Sequence, residues 1–235
     1  MKKTLSYIFG LLVLAAAIVA LFSYGNRQDA GPIPHVDESV SREEEKSSGS
    51  ALRIVAAGDS LTAGYNLPLS DSYPKILERK LLESGKNVVV INAGISGETT
   101  AGLLERAEFI SQQKPDLLLI STGGNDFFRN LPIESTRENI ERSIEIFKQT
   151  IKAENIYLLK IEATANLGLK YRGEFNAIYK EIADKQKINL LPFVVSEVFL
   201  DSRKMLPDAI HPNRDGYEFI VDTYIFPEMS KKISR

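Results

Sequence analysis

The chain has 235 residues, a formal net charge of −2 and 26% charged residues, so no basic surface points to nucleic acid. It has no cysteine, which excludes a disulfide framework, a thiolate zinc site and a thiol nucleophile. His35 and His211 are its two histidines, which argues against a zinc site built from several of them and leaves little choice of histidine base.

Lys2 and Lys3 precede an uncharged apolar run over residues 5–24. As a helix such a run is about 30 Å long, enough to cross a bilayer core. The lysines orient it with the N-terminus inside. The run exceeds the usual signal-peptide core of roughly 7–15 residues, and its best small-x-small triplet, Ser23-Tyr24-Gly25, is a poor cleavage site. Residues 1–25 are therefore read as a signal anchor, with a cleaved signal peptide as the alternative. The expected location is the cell membrane, single-pass, with the folded domain outside the cytoplasm. Cleavage would make it periplasmic or secreted. Residues 26–50, rich in Ser, Glu, Asp, Gly and Pro, read as a disordered polar linker. His35 lies there, where no catalytic role is expected.

Residues 51–235 read as one domain in which strands and helices alternate. Strands are expected at 52–57, 87–94, 115–124, 155–161 and 188–194, and helices at 73–85, 99–113, 136–154, 174–186 and 213–233. Ile140, Ile144, Phe147 and Ile151 share one face of the third helix, and Pro227 kinks or ends the last. This alternation, with continuously apolar strands, implies an α/β fold with a parallel five-stranded sheet covered on both faces. In such sheets ligands sit at the carboxyl ends of the strands.

Those ends gather small turns: Gly58-Asp59-Ser60, "NAGISGETT" with Gly97, "GGND" with Asn125, and "PDAIHPN" with Asp208 and His211. Each alone has a plain structural reading. Asp59-Ser60 reads as a helix cap, "SGET" as a capping box, Asn125-Asp126 as a turn and Pro212 as the first residue of a helix. Together they form the set that acyl transfer needs. Ser60 can be the nucleophile, His211 the base and Asp208 the group that orients the imidazole. The backbone N–H groups of Ser60 and Gly97 and the Asn125 amide can serve an oxyanion. Without a Cβ, Gly97 can approach a substrate closely.

"GDSLTAGY", "NAGISGET", "GGND" and "DAIHPN" resemble, in order and spacing, the blocks of the SGNH (GDSL-type) hydrolases. "FNAIYKEIA", "LLPF" and "IHPNRDG" resemble its bacterial periplasmic arylesterase, acyl-CoA thioesterase I and lysophospholipase branch. The resemblance implies a three-layer α/β/α sandwich of flavodoxin-like kind, a serine esterase acting on acyl esters or thioesters, a Ser-His-Asp triad, and no metal or cofactor. It also makes Asp59 a support residue and "FFRNLP" a mobile loop, with Phe127, Phe128 and Leu131 as candidates for an acyl groove. Ala209 departs from the glycine common at that position. The expected partners are a small acyl-ester or lipid substrate and, through the N-terminal helix, the membrane. A monomer is expected. O-acetyl ester cleavage on glycans and a non-catalytic flavodoxin-like binding module are the alternatives.

Overall fold

A computed structural model describes residues 50–162 and 169–234, with the backbone alone at Leu169. The expected anchor and most of the linker lie outside these residues. Among the described residues no helix is long and apolar enough to cross a membrane.

Five parallel strands form one sheet: β1 (Leu52–Gly58), β2 (Val88–Gly94), β3 (Leu117–Ser121), β4 (Ile156–Ile161) and β5 (Asn189–Val194), in the order β2-β1-β3-β4-β5. Ile54, Val55, Ala56 and Ala57 of β1 and Leu118, Leu119 and Ile120 of β3 are fully buried, as central strands covered on both faces require.

Ten α-helices are described: α1 (Ser60–Ala63), α2 (Tyr73–Glu83), α3 (Thr100–Glu105), α4 (Ala107–Gln112), α5 (Gly124–Phe128), α6 (Ile133–Phe147), α7 (Leu169–Gln186), α8 (Ser196–Phe199), α9 (Arg214–Ile220) and α10 (Phe226–Ile233). Helix α2 packs on β2 and is joined there by α9 and α10, while α3, α4, α6 and α7 pack together on the other face. The result is the expected three-layer sandwich. Its strand order is that of the flavodoxin-like fold, which reverses direction between β1 and β3.

Two elements differ from the sequence expectation. The helix expected over 99–113 is two helices, because Arg106 leaves helical geometry (φ −107°, ψ 9°) while its side chain binds Glu98 and Gly58. "GGND" and its following phenylalanines are a short helix rather than a loop. Gly123 turns the chain at φ +107°, and Phe127 N–H then donates to Gly123 O at 3.0 Å. The helix expected over 213–233 is not continuous: α9 ends at Ile220 and Pro227 is the second residue of α10, so the interruption falls next to the proline, as expected. The π-helical segment Val221–Ile225 precedes it, which accommodates a residue that has no N–H to donate one turn back.

Register places the functional turns at one level. Gly58 pairs with Gly94 on one side and with Ser121 on the other, so β1, β2 and β3 end together.

Candidate active site

Ser60 opens α1 directly after β1. The Asp59 carboxylate caps that helix, its Oδ1 accepting from Leu61 N–H at 3.0 Å. Gly58 is fixed by space: a Cβ there would lie 2.1 Å from Ser121 O and 2.4 Å from Thr62 Oγ1. The missing side chain lets β1 end against β3 while the serine stands half-buried at the sheet edge.

His211 arrives on the turn before α9. Leu206 N–H donates to His211 O at 2.8 Å, and Met205 bridges Pro212, which closes this turn into a small loop. Asp208 holds the histidine twice. Its Oδ1 accepts from Ile210 N–H (2.9 Å) and His211 N–H (3.0 Å), and its Oδ2 accepts from His211 Nδ1 at 2.8 Å. A carboxylate can only accept, so the ring proton sits on Nδ1 and Nε2 is left to accept from the Ser60 hydroxyl at 2.8 Å. Partial burial pushes the Asp208 carboxyl up, but the His211 and Ile210 N–H bonds and the imidazole outweigh it and hold the group below the usual carboxylate range.

Of the three sequence-derived oxyanion donors, Ser60 and Asn125 line one cavity with His211, and Gly97 lies on the turn that follows β2. Ser60 N–H and Gly97 N–H have no protein acceptor among the described residues. Gly97 lies on an exposed turn closed by Glu98 N–H to Ile95 O (3.1 Å) and docked on β1 by Ile95 N–H to Gly58 O (2.8 Å). The backbone gives Gly97 a reason of its own to be glycine. A Cβ would find space, but φ is +82°, a left-handed conformation that other residues resist. Asn125 Nδ2 donates to Glu98 O at 3.0 Å, which leaves its second amide hydrogen for a ligand.

Asp59 is 2% exposed. Burial raises its carboxyl to about 7, against the opposing Leu61 N–H bond and helped by the negative charges of Glu98 and Asp126. Asp126 is also buried, accepting from Thr100 N–H (2.9 Å) and Thr100 Oγ1 (2.6 Å), and so ties the start of α3 to α5. Tyr65 lays its ring 4.6 Å from the His211 ring. Asp126 lies in "GGND" and Tyr65 in "GDSLTAGY", but sequence reading assigned neither a role at the site.

A cavity of about 580 Å³ opens beside the pair, with Ser60, Asn125 and His211 on its polar side. Leu61, Phe127, Ile161, Val194, Phe199 and Ile210 supply apolar walls. Phe128 lines it while remaining 55% exposed. Leu131 is not among the lining residues; its carbonyl accepts from Tyr171 OH at 2.8 Å. Among the described residues no cluster of histidine and carboxylate groups could hold a metal ion.

Fold and site together define a serine ester hydrolase. A model of the GDSL-like Lipase/Acylhydrolase family matches residues 56–219, and the chain belongs to that family. An arylesterase of Vibrio mimicus is 34% identical over 182 residues, which cover 77% of this chain and 90% of the relative. Thioesterase 1/protease 1/lysophospholipase L1 of Escherichia coli K12 is 36% identical over 172 residues, covering 72% and 79%. Among solved structures, the psychrotrophic esterase EstA from Pseudoalteromonas sp., inhibited by monoethylphosphonate, superposes with a TM-score of 0.72 at 27% identity, covering 78% of this chain and 99% of EstA. AlinE4, an SGNH-hydrolase family esterase, gives a TM-score of 0.65 at 37% identity, covering 79% and 98%.

Proposed function

We propose that the chain hydrolyses oxygen esters and thioesters of hydrophobic acyl groups, with Ser60 as nucleophile, His211 as general base and Asp208 as its orienting partner. One observation carries the assignment: His211 bridges Asp208 and Ser60 with 2.8 Å contacts at both ring nitrogens. Ser60 Oγ attacks the acyl carbonyl as His211 Nε2 takes the hydroxyl proton. The carbonyl oxygen, now anionic, is met by Ser60 N–H, Gly97 N–H and the Asn125 amide. His211 then gives its proton to the departing alkoxide or thiolate. Water, deprotonated by the same nitrogen, releases the acid from the acyl-enzyme.

The apolar cavity supports acyl chains longer than acetyl, with Phe127 and Phe128 beside them. Nucleophile, base and orienting acid come from one chain, which supports action as a monomer. The lysine-flanked apolar run at residues 5–24 supports attachment to the membrane with the enzyme domain, residues 51–235, outside the cytoplasm on the polar linker.

The test is hydrolysis of p-nitrophenyl esters from acetyl to palmitoyl by the protein and by Ser60→Ala. A rise in kcat/KM toward medium and long chains, lost in the variant, is expected. Turnover retained by Ser60→Ala would overturn the nucleophile. Activity confined to acetate would move the substrate to O-acetyl esters.

A further inference from the structure

The three oxyanion donors sit on three separate turns, after β1, β2 and β3. A donor helps only where it meets the developing charge, and a displacement of about 1 Å can cost about 10²-fold in rate. Two arginines outside the triad brace these turns against one another. Arg106 Nε and Nη2 grip both carboxylate oxygens of Glu98, at 2.6 and 2.7 Å. Arg106 Nη2 also donates to Gly58 O at 3.3 Å, two residues before Ser60. Glu98 in turn accepts Asn125 Nδ2 on its carbonyl. The ion pair therefore joins the Ser60 turn to the Gly97 turn, and the Asn125 side chain bonds the backbone of the same Glu98. From the solvent side Arg129, directly after α5, donates through Nη2 to Gly97 O at 2.9 Å. That bond fixes the peptide plane next to the N–H in question.

A buried ion pair by itself adds little net stability, because desolvation offsets its attraction. The Glu98 side chain is 6% exposed and that of Arg106 17%, so this pair carries much of that cost. Its bonds nonetheless lead to no distant element. They converge on the turns around one reacting oxygen.

We propose that Arg106, acting with Glu98, and Arg129 are positioning residues that hold the Gly97 turn in register with Ser60 and Asn125. The inference rests on the serine-hydrolase reading above. Neither arginine touches substrate. Each sets the direction of a donor that does.

The variants are Arg129→Gln, on the exposed surface, and Arg106→Lys, which keeps the charge but loses the two-pronged grip. For each, kcat and KM are measured on p-nitrophenyl butyrate, with the thermal midpoint. The rate of inactivation by ethyl p-nitrophenyl phosphonate is measured too, since its adduct places an anionic oxygen where the donors meet. Arg106→Lys is expected to lower kcat by about 10–100-fold and Arg129→Gln by about 3–10-fold, each with KM within about twofold and with phosphonate inactivation slowed in proportion. Arg137→Gln, which loses ion pairs to Glu134 and Glu181 on the surface, serves as the control and matches the parent. Parent-like kcat in both variants overturns the proposal. So does a loss of kcat that follows a lowered thermal midpoint while phosphonate inactivation of the folded fraction stays at the parent rate. Failure of the underlying reading is recognised separately: Ser60→Ala would then retain turnover whatever the arginine variants do.

Discussion

His211 and Ser60 are 151 positions apart in the chain, and His211 Nε2 lies 2.8 Å from Ser60 Oγ. Helix α9 makes that approach reproducible. Its Tyr217 is fully buried and donates to Leu61 O at 2.9 Å, tying α9 to the residue after the serine. The serine hydroxyl has no capping duty, because Asp59 caps α1. Ser60→Ala therefore should remove hydrolysis and leave the thermal midpoint within about 2 °C of the parent, as surface changes within about 0.5 kcal/mol do. Ester turnover and a melting curve on the same preparation check both halves.

Asn125→Ala removes one donor and also the Nδ2 bond to Glu98 O that steadies the neighbouring turn. The expected loss in kcat is about 10²–10³, with KM little changed, because the interaction strengthens only as negative charge develops. Steady-state kinetics on a butyryl ester decide it. An equal rise in KM instead would show that Asn125 binds ground-state substrate.

Much of this was legible in the sequence. The parallel five-stranded sheet followed from alternating apolar periodicities. Ser60 stood out because it follows the end of a strand, and His211 because it is the single histidine of the domain, on the segment between the last strand and the last helix. What escaped were contacts between residues that look ordinary in their own neighbourhoods. Arg106 is an amphipathic-helix residue until the fold brings Gly58 O, 48 positions away, to its guanidinium. Asp126 reads as a turn residue, yet it anchors Thr100 across 26 positions. Local propensity contains no term for such pairs. They also explain the misread elements: α3 and α4 separate at Arg106, and α5 forms where two glycines suggested only a turn.

Ala209 sits between Asp208 and His211 at φ +53°. A left-handed conformation costs a non-glycine residue about 1–2 kcal/mol, part of which glycine gives back through its freer unfolded chain. Ala209→Gly should therefore stabilise the protein by about 0.5–1 kcal/mol. Its kcat should stay near that of the parent, because the Asp208 bonds to Ile210 and His211 already define the turn. Urea unfolding gives the first quantity. A destabilised variant would mean that the methyl group packs usefully in spite of its backbone.

Phe128 lines the cavity with most of its ring in solvent, so truncating it leaves no core void. Phe128→Ala should raise KM for decanoyl esters by about 3–10-fold, the worth of one partly buried aromatic contact of about 1 kcal/mol, and leave acetyl esters unaffected. A uniform change across chain lengths would place the acyl group elsewhere.

Asp59 links the site to pH through stability. Its folded carboxyl is raised to about 7 from an ordinary value of 3.8, first by burial and then by the nearby charges of Glu98 and Asp126. The native state thus holds this proton more tightly than the unfolded chain does. The neutral acid favours folding, and its contribution is complete below about pH 4 and lost as the pH rises through 7. The difference in pKa corresponds to about 4 kcal/mol across that window. Asp59→Asn cannot ionise, and its amide oxygen can still accept from Leu61 N–H. Relative to the parent, the variant should gain stability between pH 4.5 and pH 8, by about 3 kcal/mol. Urea unfolding of both proteins at those two pH values measures the gain. A stability difference that does not change with pH would show that Asp59 ionises as freely in the folded protein as in the unfolded chain.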